Sequence, residues 1–233
     1  MTTQEFSVEF DILYNNLASN SAPPVNEYEK SVFLTKAQSD IVIELYSGRN
    51  NLGLSFDSSE EARTYLSSLV GGIKSVVGDC SEIQGYYSTF IEDLSSYKFI
   101  AIIRAEILNN DKSIPVLPVS NDELYHMLNN PFKKPSKKRA LLNNEFQNYR
   151  LYMDSDYSGN DIIFHVLVKP QPIVLNIEGD TEGLTIDEYD VSEGPQGSQL
   201  PASLHNIILE RAVLLAKMAY VGGQAQQSQQ QQR

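Results

Sequence analysis

The stretch "YKFIAIIRAEIL", residues 97–108, decides between an all-helical chain and a mixed one. It is rich in isoleucine and phenylalanine, as buried β-strands are, although periodicity alone also allows a helix. We interpret it as a strand. The segments on either side of it then determine how much of the fold is helical.

Three amphipathic helices are predicted on its N-terminal side, over residues 6–17, 26–48 and 58–73. Each repeats apolar side chains at steps of three and four, which places them on one helical face. The second and third begin at an asparagine or serine that is followed three residues later by glutamate, a pattern typical of helix starts. The apolar positions are Phe6, Phe10, Leu13 and Leu17; Tyr28, Val32, Ala37, Ile41 and Leu45; and Ala62, Tyr65, Leu66, Leu69, Val70 and Ile73.

Shorter elements are predicted on its C-terminal side. Residues 120–131 have the pattern of a short capped helix that ends at a proline. Residues 148–170 contain two apolar runs around a polar, glycine-containing turn, which predicts a β-hairpin. "PIVLNI", residues 172–177, is a candidate further strand, and the acidic stretch 178–199 is predicted to be a loop.

The last element, "LPASLHNIILERAVLLAKMAYVGG" (200–223), has the clearest helical pattern. Pro201 suits a first helical turn, and Gly222 and Gly223 suit a helix end. The apolar side chains between them form one broad face. The chain closes with "QAQQSQQQQR" (224–233), a polar low-complexity tail that cannot form a core of its own.

Together these elements predict an α+β fold, an antiparallel helical bundle with an inserted β-rich subdomain. The bundle consists of the three N-terminal helices and the long C-terminal helix, which packs back on them. The predicted organisation is a helical part over residues 1–80, a β-rich insertion with a short helix and an acidic loop over 81–199, the closing helix over 200–223 and the glutamine-rich tail over 224–233.

Five positive charges cluster in one segment of an acidic chain. The formal net charge is −12, and the remainder carries −17 when the five basic residues of "NNPFKKPSKKRALL" (129–142) are set aside. Phosphate binding depends on lysine and arginine, so the acidic balance argues against a surface that wraps nucleic acid. The cluster itself is open to interpretation as a solvated loop, a protein contact or a DNA contact. Its members are Lys133, Lys134, Lys137, Lys138 and Arg139.

The sequence contains no constellation that indicates catalysis or metal binding. His126, His165 and His205 are isolated and lack metal-ligand spacing. Cys80 has no local nucleophile signature and, as the single cysteine, cannot form an intramolecular disulfide. No phosphate-binding glycine loop or nucleophile-elbow motif occurs. We therefore predict a protein that is not an enzyme and that needs no cofactor or metal.

Composition predicts a globular chain without a membrane partner. Apolar residues make up 41% and charged residues 21% of the sequence. No uncharged apolar run approaches the roughly 20 residues that a membrane span needs. The first ten residues, "MTTQEFSVEF", contain two glutamates and no basic residue, so they do not resemble a signal peptide. We expect assembly in a cytoplasm.

Four stretches occur in an order that is characteristic of one group of proteins. They are "NEYEKSVFLTKAQ" (26–38), "NNPFKKPSKKRAL" (129–141), "VLVKPQPIVL" (166–175) and "LPASLHNIILERAVLLAKMAY" (200–220). The series resembles the virion structural proteins of crAss-like and related short-tailed phages of Bacteroidetes. Within that group it is most similar to the neck or ring proteins that join the portal to the tail.

The resemblance implies a homo-oligomeric ring of twelve subunits below the portal protein, in contact with the portal and with other neck or tail rings. Genomic DNA would pass through the ring, and an acidic lining would let its phosphates slide. The resemblance implies no catalysis, cofactor or metal, and a virion protein assembled in the bacterial host. We expect the tail to contact the portal or a neighbouring ring through Gln226, Gln227, Gln229 and Gln230.

Two hypotheses of different classes follow. In the first, the chain is a head-to-tail connector, and its basic cluster fits an acidic surface of an adjacent subunit. In the alternative, the chain binds DNA through residues 133–139. Five phosphate contacts would then give a slope of roughly −4 to −5 in the logarithm of affinity against the logarithm of salt concentration.

Overall fold

The fold is described from a computed structural model. The described residues are 1–17, 24–49, 53–78, 80–83, 86–91, 94, 97–109, 112–145, 148–154, 157, 160–177, 179, 181 and 183–230. The chain divides into two compact units, one formed by Met1–Leu69 with Pro170–Arg233 and the other by Val70–Lys169. We call them the helical unit and the sheet unit.

The elements are numbered in chain order. The helices are α1 (Thr3–Leu17), α2 (Glu27–Ser47), α3 (Glu60–Leu66), α4 (Asn121–Asn129) and α5 (Ala202–Gln230). The strands are β1 (Val70–Val76), β2 (Ser81–Ile83), β3 (Tyr86–Ile91), β4 (Phe99–Asn109), β5 (Lys112–Val119), β6 (Ala140–Glu145), β7 (Asn148–Met153), β8 (Asp161–Val168), β9 (Thr185–Ile186) and β10 (Tyr189–Asp190). The sheet unit contains β1 to β8 and α4, and the helical unit contains the other elements.

The sheet unit is built on an eight-stranded mixed sheet in the order β1-β8-β4-β5-β6-β7-β3-β2. Its strand pairs are antiparallel except for β5 and β6, which are parallel. This sheet is the dominant feature of the described structure. The predicted fold class, an antiparallel helical bundle with an inserted β-rich subdomain, is therefore wrong. The prediction missed several strands because their local sequences are not typical of strands.

The first hidden strand is β1, which the sequence pattern assigns to the third helix. In the structure α3 ends at Leu66, and Val70–Val76 is a strand. The glycine pair that follows Val70 costs a helix about 1 kcal/mol per residue relative to alanine. Ile73 and Ser75 are both buried, which is the two-residue period of a strand.

The second hidden strand is β5, whose sequence "KSIPVLPV" contains two prolines. Proline lacks the N–H that a central strand needs for its ladder. Strand β5, however, pairs with β4 through residues 112–116 and with β6 through residues 116–119. Pro115 thus lies beside β4 alone and Pro118 beside β6 alone. At each proline, one edge of β5 has no neighbouring strand. The ring nitrogen can face that edge, where no hydrogen bond of the sheet is lost.

The hairpin predicted over residues 148–170 is wrong in its pairing. Both of its strands exist, as β7 and β8, but β8 lies between β1 and β4, and β7 lies between β6 and β3. The turn predicted to join them falls largely outside the described residues. Strand β7 pairs instead with β6, its other neighbour along the chain. Local composition indicates strands, whereas their partners depend on the whole sheet.

Strand β8 carries the centre of the core of the sheet unit. Burial alternates from Asp161 to Val166, where Ile162, Phe164 and Val166 are fully buried, and Leu167 after them is buried as well. Their neighbours on both sides, β1 and β4, fix the backbone at these positions. The same apolar cluster includes Ile107, Ile114, Ala140, Leu142, Leu151 and Met153.

The parallel pair β5–β6 explains the next part of the fold. Parallel neighbours cannot be joined by a tight turn and need a crossover connection. The crossover consists of α4 and residues 130–139, which we call the basic loop. Helix α4 confirms the short helix predicted within residues 120–131 and packs Leu124, Met127 and Leu128 against the sheet. The basic loop is therefore held at one end by α4, which packs on the sheet, and at the other end by β6.

Three helices of the helical unit, α1, α2 and α5, confirm the first, second and last predicted helices. Helix α2 begins with a complete capping box. The Asn26 side chain accepts the Glu29 N–H at 2.8 Å, and the Glu29 carboxylate accepts the Asn26 N–H at 3.1 Å. The helix ends at Gly48, whose φ of 73° favours glycine. The buried apolar side chains of these helices include Phe6, Phe10, Leu34, Ala37, Val42, Leu204, Ile208 and Ala212.

A row of buried polar side chains on α2 holds an extended segment of main chain, residues 171–175. Thr35 Oγ1 accepts the Ile173 N–H at 3.0 Å and donates to the Ile173 carbonyl at 3.2 Å. Ser31 Oγ accepts the Leu175 N–H at 2.9 Å. A helix thus satisfies main-chain groups that would otherwise need a partner strand.

Gln38 completes this row of polar side chains. Its Nε2 donates to the main chain of the same segment at 2.7 Å, and its Oε1 accepts from Ser198 Oγ at 2.6 Å. The strand predicted over residues 172–177 is wrong, since the segment forms only an isolated bridge between Val174 and Gln196. Its apolar composition reflects burial, and its hydrogen bonds go to side chains of α2.

The charge state of His205 on α5 should affect stability. Its Nε2 donates to the Leu200 carbonyl at 2.9 Å, and its ring centroid lies 5.2 Å from that of Phe6. Burial lowers the pKa of His205 and outweighs the hydrogen bond to Leu200, which raises it. Because the unfolded chain binds the proton more readily, the stabilising contribution is complete above about pH 6.5 and is lost as the pH falls toward the folded pKa.

We therefore expect the free energy of unfolding to fall between about pH 7.5 and about pH 5.5, and to fall less in His205→Gln. Glutamine keeps an N–H donor for the Leu200 carbonyl but does not titrate. Urea unfolding at the two pH values measures both differences. Equal losses in the two chains would contradict the role of His205.

Candidate assembly surface

The basic loop is a folded turn with its own hydrogen bonds. The N–H groups of Lys133 and Lys134 donate to the Asn130 carbonyl at 3.0 and 2.9 Å. Ser136 and Arg139 exchange two main-chain hydrogen bonds, at 2.9 and 3.0 Å. The loop therefore has a defined shape on which its side chains are displayed.

The structure brings the five predicted contact residues together in this loop, but Arg139 differs from the four lysines. Arg139 is half-buried, and its Nη2 donates to the carbonyl oxygens of Phe132 and Lys134 at 2.5 and 3.3 Å. Its guanidinium group thus closes the loop from within. The exposed basic side chains are Lys133, Lys134, Lys137 and Lys138.

The loop also carries an exposed aromatic side chain that charge-based reasoning missed. Phe132 is 89% exposed, the highest value for a large apolar side chain among the described residues. Tyr125 on α4 is 72% exposed. The sequence signal for Phe132 is its place between a proline and two lysines, because a phenylalanine in such a polar turn has no core to enter.

The predicted portal-contact residues lie at the end of α5. This helix continues to Gln230, so the helix end predicted at Gly222 and Gly223 is wrong. Alanine and glutamine after the glycine pair favour a helix. The contact predicted for the tail stays a prediction. Its residues are Gln226, Gln227, Gln229 and Gln230.

A groove of about 320 Å³ lies between α1 and α5 in the helical unit. Glu9 on α1 and Glu210 on α5 form no hydrogen bond or ion pair with any residue of the described ranges. Ile12, which is 53% exposed, and the more buried Leu13 and Leu209 give the groove an apolar lining that a partner can reach. We call this feature the acidic groove. It is lined by Glu9, Ile12, Leu13, Asn206, Leu209 and Glu210.

A serine, a glutamate and a histidine meet on the sheet unit, but not in a catalytic arrangement. The Ser113 hydroxyl and Arg104 Nη2 donate to Glu106 Oε2, and His165 Nε2 lies 3.5 Å from Glu106 Oε1. The hydrogen bond from Ser113 lowers the pKa of Glu106 most; burial opposes it, and Arg104 and His165 reinforce it. Because the serine bonds to the carboxylate and not to the imidazole, this cluster is an ion-pair network without a nucleophile–base contact.

Other chemistry is not visible in the described part of the chain. No group of three or more histidine, cysteine, aspartate or glutamate residues there is placed to hold a metal ion. No helix over these ranges combines the length and hydropathy of a transmembrane span. The helical unit has a larger cavity, of about 1170 Å³. Its carboxylate, Glu27, is already bound by Ser7 and Lys30 at 2.8 Å each.

These features define a class of protein. An exposed aromatic side chain beside exposed lysines, together with an apolar groove beside two carboxylates, is typical of protein–protein contact surfaces. The described surfaces therefore indicate the class of proteins that act through contacts with other proteins.

The chain belongs to a family of phage ring proteins, because the family described as phage tail ring protein 3/4 matches residues 1–230. The chain is 33% identical over 230 residues to Ring protein 4/5 of Bacteroides phage crAss001, which covers 95% of this chain and 94% of that protein. It is 31% identical over 224 residues to Ring protein 3 of the same phage, which covers 93% and 95%. The resemblance to virion ring proteins of crAss-like phages is confirmed, and the chain is a structural ring protein of the virion.

Proposed function

We propose that this chain forms a closed ring of twelve identical subunits in the neck that joins the portal to the tail. The observation that carries the proposal is the family match over residues 1–230, which covers both units of the chain. A ring subunit needs at least two different adhesive surfaces. The basic loop and the acidic groove supply candidates for both. The role is structural and involves no catalytic step or cofactor.

The proposed ring encloses a channel through which genomic DNA passes. The net charge of −12 supports this role, because an acidic wall repels phosphate and leaves the DNA free to slide. Assembly would take place in the bacterial cytoplasm, before or while the tail is attached.

The proposed contacts follow the charges. The basic loop, with Lys133, Lys134, Lys137, Lys138 and Arg139, contacts an acidic surface of a neighbouring subunit. Complementary charge of this kind fixes register and partner choice more than affinity. The end of α5, with Gln226, Gln227, Gln229 and Gln230, contacts the portal or the next ring.

DNA binding through the basic loop is a second candidate function. One observation favours it, namely the joint exposure of four lysines. It predicts affinity for double-stranded DNA that falls steeply with salt, by about one unit of logarithmic slope per phosphate contact.

Sedimentation velocity and electron microscopy of the purified chain test the ring. We expect a discrete species of about 313 kDa, twelve copies of the 26.1 kDa chain, and ring-shaped particles. A chain shortened after Gly223 should still form the ring but should fail to bind the portal. A protein that stays monomeric at all concentrations and is absent from purified virions would refute the proposal.

A further inference from the structure

The basic loop exposes the side chain of Phe132, the apolar tip of the loop, while hydrogen bonds within the loop hold the main chain of this residue. The Phe132 N–H donates to Asn130 Oδ1 at 2.9 Å, and its carbonyl accepts from Arg139 Nη2 at 2.5 Å. Both main-chain polar groups of Phe132 are therefore bonded within the loop, and burying this residue would leave neither unpaired. Exposed aromatic side chains on preordered loops are typical anchors of protein interfaces.

Three lysines around this tip are available for a partner. The ammonium groups of Lys133, Lys134 and Lys138 have no hydrogen-bond or ion-pair partner within the described ranges. The loop thus combines one apolar anchor with several unpaired positive charges. Its complement is an apolar recess with carboxylates at its edge.

The acidic groove is an apolar recess of this kind, with two carboxylates at its edge. Helix α1 contains no lysine or arginine, and the N-terminal ammonium of Met1, which precedes it, is bonded to His205 Nδ1 at 2.8 Å and not to Glu9 or Glu210. On α5, Arg211 is held by two hydrogen bonds to Glu44 on α2, at 2.6 and 3.1 Å. The next cation of α5, Lys217, lies seven residues beyond Glu210, a rise of about 10 Å. The carboxylates of the groove therefore keep a negative field.

We propose that the basic loop of one copy of this chain docks in the acidic groove of the next copy. Phe132 enters the apolar floor between α1 and α5, and the lysines of the loop lie beside Glu9 and Glu210. This inference rests on the proposed ring and identifies the two surfaces that join its subunits.

A second copy is the partner that fits these observations best, because both complementary surfaces occur on the same chain. The loop belongs to the sheet unit and the groove to the helical unit, so the contact joins two different surfaces. Contacts of this heterologous kind generate rings when the rotation between subunits closes. The contact also accounts for the concentration of positive charge in one loop of a chain with net charge −12.

Charge exchange between the two surfaces tests the contact. We expect reversal of either surface alone to weaken association about 100-fold or more, and reversal of both together to restore it to within about 10-fold. Phe132→Ala should weaken association about 30-fold. Sedimentation velocity over a range of protein concentrations measures these changes. The loop variant is Lys133→Glu/Lys134→Glu/Lys138→Glu, and the groove variant is Glu9→Lys/Glu210→Lys.

Lys133→Glu alone is also made, and Lys36→Glu, which reverses one exposed lysine on α2, is its matched control and should leave the ring intact. Thermal unfolding by circular dichroism verifies that every variant is folded. Normal rings from both reversed variants would overturn the contact and leave the ring proposal standing, whereas an unaltered chain that forms no ring would overturn both. Failure of the double reversal to restore rings that each single reversal abolishes would overturn the pairing of these surfaces. A loop variant that forms normal rings but loses salt-dependent DNA binding would assign the loop to DNA.

Discussion

Replacement of Phe164 by alanine is expected to lower the free energy of unfolding by about 3–5 kcal/mol. Phe164 is fully buried in β8, where it pairs with Ile73 of β1 and Ala105 of β4. Removing its ring leaves a cavity in the core of the sheet unit. Because strands on both sides hold the backbone of β8, the surrounding residues cannot collapse to fill that cavity.

Urea unfolding followed by circular dichroism measures this loss, and Ile163→Ala is the matched control. Ile163 is the preceding residue of β8, points to the opposite face of the sheet and is only half-buried. Its truncation should cost about 1 kcal/mol. Equal losses in the two variants would show that the inward face of β8 has been assigned incorrectly.

Thr35→Val is expected to lower the free energy of unfolding by about 2–4 kcal/mol, although valine has a similar shape and is more apolar. The Thr35 hydroxyl serves both the N–H and the carbonyl of Ile173, and Thr35 is only 5% exposed. Valine would leave both main-chain groups buried without a partner. Each such group costs about 1–3 kcal/mol.

The control for this variant is Thr64→Val on α3. The Thr64 hydroxyl donates to the Glu60 carbonyl at 2.9 Å, but its side chain is exposed, so water can replace the bond. We expect a change within about 0.5 kcal/mol. A Thr35→Val chain as stable as the unaltered chain would show that the Ile173 groups do not depend on Thr35.

The helices could be predicted from the sequence because their signals are local. The capping box at Asn26 and Glu29 and the four-residue step from Phe6 to Phe10 lie within single elements. The sheet could not be predicted in the same way. Pro115 and Pro118 are tolerated only because β4 and β6 each cover half of β5, which is a property of the assembled sheet.

The same distinction applies to the candidate assembly surface. The positive charge of the basic loop is visible in the sequence, whereas the exposure of Phe132 depends on how the crossover folds. The acidic groove is invisible to local patterns, since it combines Glu9 with Glu210 from opposite ends of the chain. Leu13 illustrates the difficulty, because its spacing predicts a core residue and the structure places it half-buried in the lining of the groove.

The helical unit is formed by two segments that lie before and after the sheet unit in the sequence, so its first segment is synthesised well before its second. The 100 residues of the sheet unit, Val70–Lys169, are translated between its two parts, which takes on the order of 5–20 seconds at bacterial rates. Until α5 has left the ribosome, a nascent chain can display the basic loop but not the acidic groove. If the proposed contact is correct, such a nascent chain could bind the groove of a finished subunit through its loop, but it could not accept the loop of another subunit. Only chains whose α5 has been synthesised would propagate a ring, so the ability to polymerise would depend on the appearance of this helix.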